Sequence, residues 1–468
     1  MSGPMALEPD GSQGDTLSLR LAEDSAPRLR RDVERTLSLR QPRWGGDHAA
    51  VDSLAAELAD RIGPAVHPYE VAALLESEGL TAEVIRERYG HPNLFSLARA
   101  LYERVPRTFP EPPPAADPWR PDHVRCALRG ALFALPGLGY LLTAPLWDAE
   151  RAVTGLVVAG LLSWAWGQAL GHRAFVRMTS GRREAARTLL RGAPLGAAVA
   201  TGAGALVTGS ATAALASGVQ SLYLAAAGVL LVLGGERLLL AALAPLIAGA
   251  AVLPWWEPGT VLRAGLPLLA LLGSVAAAGW TLRTALAADP AQGAVRPSLL
   301  ASLPYGMFGL SAGALVLLAG REDPYAVIAL TVSMGPAEWL LYRYRGLSVA
   351  ALRRTGTPAA FRLWSAGVLA LCLGVYLLPL VPAALLTGSA PAPLLLLAAA
   401  LWTALLLQAF GVAWPPAVVC AAAAGTAGAL TVLGPLPRAD VLALCTGAAA
   451  LWLTGCVLHL LGRPARHA

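Results

Sequence analysis

Few residues in this 468-residue chain have both the type and the setting to do chemistry, and most of those lie inside apolar stretches. Glu338 stands about one turn before the end of such a stretch, behind Gly335 and Pro336. That pair bends a helix and frees backbone groups toward a cavity. Burying a charge in hydrocarbon costs at least about 2.5–3.5 kcal/mol, so an ionisable side chain there marks a site, and a carboxylate would take a proton or a cation. The competing reading makes Glu338 a local partner of Arg343 or Arg345 at an interface, and it stands slightly ahead. Arg129, one turn into the first apolar stretch, faces a cavity or snorkels to headgroups, with snorkelling expected. Gln168, Gln220 and Gln408 line a polar path or serve as interhelical hydrogen bonds. Tyr305 beside Pro304, and Trp164 with Trp166, stack on a ligand ring or simply pack. Pro136, Pro304 and Pro336 are the candidate kink or gating positions. Adjacent Glu236 and Arg237 read as a solvated loop pair, and His459 as a histidine satisfied by a carbonyl.

No arrangement points to a nucleophile, a phosphate loop or a metal. The five cysteines, Cys126, Cys372, Cys420, Cys445 and Cys456, show no CxxC and no histidine at ligand spacing, and read as small core residues. No catalytic residue, metal or cofactor is assigned, and an enzyme is not expected.

The elements that must hold these residues are membrane helices. The chain is 56% hydrophobic and 14% charged with mean hydropathy +0.55, against about 45–50% apolar residues in soluble domains. All 36 basic residues are arginines, which with the Ala, Leu and Gly load suggests a GC-rich bacterial gene. The net charge of +6 raises nucleic acid as a partner, but the arginines sit where membrane topology wants them, and no nucleic-acid partner is expected.

Residues 1–43 are polar and Arg-rich and read as a disordered tail without a signal peptide. Residues 44–109 carry short amphipathic patterns (Val51, Leu54, Leu58 and Ile62; Val71, Leu74 and Leu75; Leu94, Leu97, Ala98 and Leu101) and read as a small cytoplasmic helical domain. His67 and His91, each before a proline, read as helix-entry residues. Residues 110–122, with Pro110, Pro112, Pro113, Pro114, Pro118 and Pro121, read as a semi-rigid linker.

Twelve apolar spans follow, near 124–145, 151–171, 193–214, 218–235, 237–256, 261–284, 297–319, 324–342, 360–385, 392–412, 415–434 and 439–462, each close to the roughly 20 residues a bilayer requires. From Arg120 on, nineteen arginines fall on one side and four, Arg151, Arg263, Arg321 and Arg438, on the other. This places both termini in the cytoplasm of a multi-pass protein of a bacterial cell membrane. The predicted fold is all-α and polytopic, in two six-helix pseudo-repeats: 123–286 and 287–468.

The repeat shows in the residues. The stretch 167–175 (GQALGHRAF) lies on 337–345 (AEWLLYRYR), placing Gln168 on Glu338, and 133–138 (FALPGL) lies on 301–306 (ASLPYG), placing Pro136 on Pro304. A proline in the first helix of each half, a cytoplasmic loop after the second, and the segment SGRREAARTLLRGA at 180–193 together resemble the multidrug/oligosaccharidyl-lipid/polysaccharide (MOP) exporter superfamily, in particular its polysaccharide-exporter branch. The resemblance covers about 340 residues from Val124. It implies alternating access between two bundles, outward movement of a saccharide, polysaccharide or glycolipid, and a transport cavity holding Glu338, Gln168, Gln408, Arg129, Tyr305 and Trp164. No arginine stands mid-span, unlike lipid-linked members, and this favours a neutral or cationic polysaccharide or an amphiphile. A major-facilitator efflux transporter is the alternative, but Met178 and Thr179 stand where its loop signature wants an acid and a base beside Gly181, Arg182 and Arg183. A membrane scaffold for an exopolysaccharide synthesis complex is a further one. A membrane glycosyl ligase is set aside because the outer loops are too short to carry catalytic groups. Expected partners are the bilayer, the substrate, and a cytoplasmic glycosyltransferase docked on the N-terminal domain.

Overall fold

The computed structural model describes residues 48–108, 120–146, 149–290, 297–388, 390–434 and 437–464, and among them every regular element is a helix. The expected tail at 1–43 and the five linker prolines from Pro110 to Pro118 lie outside the described residues, as do Arg296 and Arg466 of the loop count. The chain divides into two compact units that meet in sequence at Pro118 and Trp119.

The smaller unit holds α1 (His48–Glu57), α2 (Ala59–Ile62), α3 (Pro68–Ser77), α4 (Ala82–Glu87) and α5 (Leu94–Arg104). The starts of α3, α4 and α5 follow from side chains that accept from otherwise orphaned backbone N–H groups. His67 Nδ1 accepts from Tyr69 N at 3.3 Å, ahead of Pro68 at the first helical position, and Asn93 Oδ1 accepts from Ser96 N at 2.9 Å. His67 is therefore a cap, whereas Asn93 takes that role where His91 was expected. The apolar faces meet in one core with Val71, Leu75, Leu97 and Leu101 fully enclosed.

In the larger unit, span one is α6 (His123–Ala134) and α7 (Gly137–Thr143), parted at Leu135 and Pro136. Spans two to seven are α8 (Ala149–Met178), α9 (Arg182–Thr208), α10 (Ala211–Val232), α11 (Glu236–Val252), α12 (Thr260–Leu286) and α13 (Leu299–Glu322). Span eight is α14 (Pro324–Val332) and α15 (Met334–Arg354), and span nine is α16 (Pro358–Leu377) and α17 (Leu380–Leu386). Spans ten to twelve are α18 (Pro391–Ala409), α19 (Trp414–Leu433) and α20 (Arg438–Leu460). Ten of these spans are long and apolar enough to cross a membrane. The other two are α11, with 17 residues, and span eight, interrupted at Ser333. The basic stretch after span two, expected as a loop, is almost wholly helical: α8 runs on to Met178 and α9 begins at Arg182, with Glu184 bridging Arg177 at 2.8 Å and Arg187 at 2.7 Å.

Two cores form, one from Leu132 to Ala285 and one from Phe308 to Leu461. Between them α6 packs on α14 and α15, and α8 packs on α13. A shift of six spans carries the pair one–eight into the pair seven–two, so these contacts are one arrangement repeated about a pseudo-twofold axis. Within the halves the pairs two–three, four–six and five–six recur as eight–nine, ten–twelve and eleven–twelve.

Candidate functional site

The strongest chemistry gathers where α6, α11 and α15 all begin. Asp122 Oδ1 accepts from Arg125 N at 3.0 Å and caps α6. The helical period then sets Arg125 and Arg129 four apart on one face. Between α10 and α11 the chain reverses through Gly234 at φ +75, with Gly235 N donating to Leu230 O at 2.7 Å, the closing bond of a Schellman turn. That turn delivers Glu236 as the first residue of α11, where a carboxylate complements the helix dipole. In span eight the break at Ser333 puts Pro336 in the first turn of α15, where its missing N–H costs little, and Glu338 one turn in.

Arg129 joins all three. Its Nη1 donates to Glu338 Oε1 at 2.7 Å, its Nη2 and Nε approach Glu236 Oε1 at 2.9 and 3.0 Å, and Arg125 Nε donates to the same oxygen at 2.9 Å. Arg129, Glu236 and Glu338 are 9%, 6% and 5% exposed. Two arginines and two glutamates make a neutral set, the form in which charge tolerates burial. The cluster lies at the end of the spans that arginine counting assigns to the cytoplasm, and it ties span one to span eight.

Neighbouring contacts reinforce that tie. Gly130 and Gly335 meet backbone to backbone, so that a Cβ built on Gly130 would stand 2.9 Å from Gly335 Cα. Trp339 Nε1 donates to His123 Nδ1 at 2.9 Å. The symmetry-related junction is held by His172 of α8, whose Nδ1 lies 3.0 Å from Ser302 Oγ and whose ring stacks on Tyr305 at 4.0 Å between centroids.

A cavity of about 420 Å³ opens within the first half, toward the opposite ends of the spans. Pro136, Tyr140, Thr143, Gln220, Tyr223 and Pro267 are among its lining residues, and no charged side chain is. Tyr140 Oη donates to Gln220 Oε1 at 2.9 Å, and Gln220 Nε2 to Leu156 O at 3.1 Å, which fixes the glutamine. The volume is within the range for small-molecule sites.

Several sequence expectations change here. Arg129 does not snorkel, because two carboxylates from distant helices enclose it. Glu236 is a buried ion-pair member rather than part of a solvated loop pair. Glu338 pairs with Arg129 rather than with Arg343 or Arg345. Glu338, Gln168, Gln408, Arg129, Tyr305 and Trp164 all lie outside the lining of the 420 Å³ cavity. Gln168 packs against Gly309 where α8 meets α13, Trp164 faces the same glycine, and Gln408 is enclosed in the second half with its Nε2 unpartnered among the described residues. Of the prolines, Pro136 separates α6 from α7, Pro304 lies within unbroken α13, and the break near Pro336 falls at Ser333. Reasoning on the sequence missed Tyr140, Tyr223, Arg125 and the His172–Ser302 contact. The spacing of Arg125 and Arg129 was the available signal for the first cluster.

No family model and no curated protein sequence matches the chain. Among solved structures it is similar to a MATE in complex with Br-NRF, at 14% identity over 74% of this chain and 97% of that one, with a TM-score of 0.43. It is also similar to an outward-facing MATE-family multidrug resistance transporter of the MOP superfamily (14%, 74% and 96%, TM-score 0.41) and to a MOP superfamily transporter from Pyrococcus furiosus (14%, 74% and 96%, TM-score 0.39).

Proposed function

We propose that the protein is a membrane exporter working by alternating access, with the Arg129–Glu338 pair as its inner gate and a saccharide-bearing or other uncharged amphiphile as its cargo. The observation that carries this reading is the placement of a buried, charge-balanced tie across the two halves at one end and of a cavity toward the other. A tie between α6 and α15 must break for the halves to part at that end. The cavity offers hydroxyl and amide groups on an apolar wall and no charge, which suits a neutral polar group on a greasy carrier. Glu338, released from Arg129, is the group expected to exchange a cation or proton during the cycle.

The test locks the gate. With the five native cysteines replaced, His123→Cys and Trp339→Cys are introduced and cross-linked in cells. Surface polysaccharide, lost on deleting the gene and restored by this variant when reduced, should fall again on cross-linking and return on reduction. Export indifferent to the cross-link would overturn the gating role, and surface polysaccharide unchanged by the deletion would overturn the cargo.

A further inference from the structure

A second site lies away from the gate and the cavity, between the start of α16 and the end of α20. These helices belong to spans nine and twelve, and their adjoining ends lie on the side that arginine counting assigns to the cytoplasm. A groove of about 550 Å³ there is lined by Arg362, His459 and Arg463, with Pro358, Leu458 and Gly462 among its other residues, and no acidic side chain contributes to it. Arg463 Nη2 sits 3.0 Å from His459 Nε2, which folds the arginine back over the helix end. The Arg362 stem lies so close to Gly462 that a Cβ there would stand 3.2 Å from Arg362 Cγ. Beside the basic floor the surface turns apolar: Leu363, Trp364 and Leu458 are exposed, as are Leu451 and Trp452 along α20. Among the described residues neither arginine has an acid partner, and two such arginines at the headgroup level, open to an apolar flank, match one ligand chemistry.

We infer that this groove binds the phosphate of an anionic phospholipid, with Arg362 and Arg463 on the headgroup and the acyl chains along the Leu363, Trp364 and Leu458 flank. Basic pockets between helix ends on the cytoplasmic side recognise such headgroups through local charge, and the interaction weakens with salt.

The test uses the full chain, purified in detergent and stripped of lipid, with bound lipid counted by native mass spectrometry as phosphatidylglycerol, phosphatidylcholine or inorganic phosphate is added. Phosphatidylglycerol should be retained in preference to phosphatidylcholine. Retention should drop about fivefold for R362S or R463S and about thirtyfold for the pair, and should survive in the R362K/R463K pair. Export by the serine pair need not change, since the site is separate from the proposed gate. Equal retention of the two lipids, an unchanged serine pair, or inorganic phosphate competing as well as the lipid would each overturn the assignment.

Discussion

Arg129 and Glu338 are 209 residues apart along the chain and 2.7 Å apart in space. Because Arg129 also holds Glu236, the two halves of the pair respond differently to substitution. Glu338→Gln should abolish export and leave membrane abundance intact, since Arg129 keeps one carboxylate. Arg129→Met strands two buried carboxylates with only Arg125 nearby and should cost about 3–5 kcal/mol, read as a fall in Tm and abundance. Combining Arg129→Met with Glu338→Met should recover much of that loss, because Glu236 keeps Arg125. Equal instability of Glu338→Gln and Arg129→Met would count against the cluster.

The crossing of α6 and α15 depends on Gly130 and Gly335. Gly335→Ala would bring a Cβ to 2.9 Å from Cys126 O, and the crowding should cost about 1–3 kcal/mol. Gly137→Ala, where nothing lies within 4 Å, should be close to neutral. Melting curves of both purified variants decide the matter, and indistinguishable curves would remove the close approach as a determinant.

In the cavity, Tyr140→Phe removes one hydroxyl and leaves the ring in place. It should raise the substrate concentration for half-maximal transport in proteoliposomes while abundance stays the same. Gln220→Leu should do so more strongly and also cost about 0.5–1.5 kcal/mol, since Tyr140 Oη loses its acceptor and Leu156 O its second donor. An unchanged concentration dependence in both variants would place the cargo elsewhere.

The N-terminal unit has its own core, so Leu75→Ala should destabilise it by about 2–5 kcal/mol, visible as faster proteolysis within residues 48–108. Burial, then Arg104 and His48, hold the His91 imidazole below its ordinary range. The unfolded chain therefore binds the proton more readily, and His91 contributes stability that is full above about pH 6.5 and is lost as pH falls below it. Proteolysis of this unit should accelerate on acidification in the wild type and less so in His91→Gln. Deleting residues 1–110 tests the proposed docking role, and unchanged export in cells would remove it.

What the sequence determined is what short-range patterning can carry. Apolar lengths marked the spans and arginine asymmetry predicts their direction, but helix ends depart from the apolar limits, as where α9 begins at Arg182 rather than near 193. Even so, Arg173 to Arg191 reads as a loop when counted by hydropathy yet is almost wholly helical, with Glu184 paired to Arg177 and Arg187 across the turn, a local pairing that hydropathy does not weigh. Only the tertiary structure decided which charges meet. Glu236 looked solvated because its immediate neighbours are polar and turn-like, and Arg129 looked free to snorkel because no acid stands within a helical turn of it. Their partners come from α6, α11 and α15, and the energy of a buried ion pair depends on distance through space, which the order of residues along a chain does not specify.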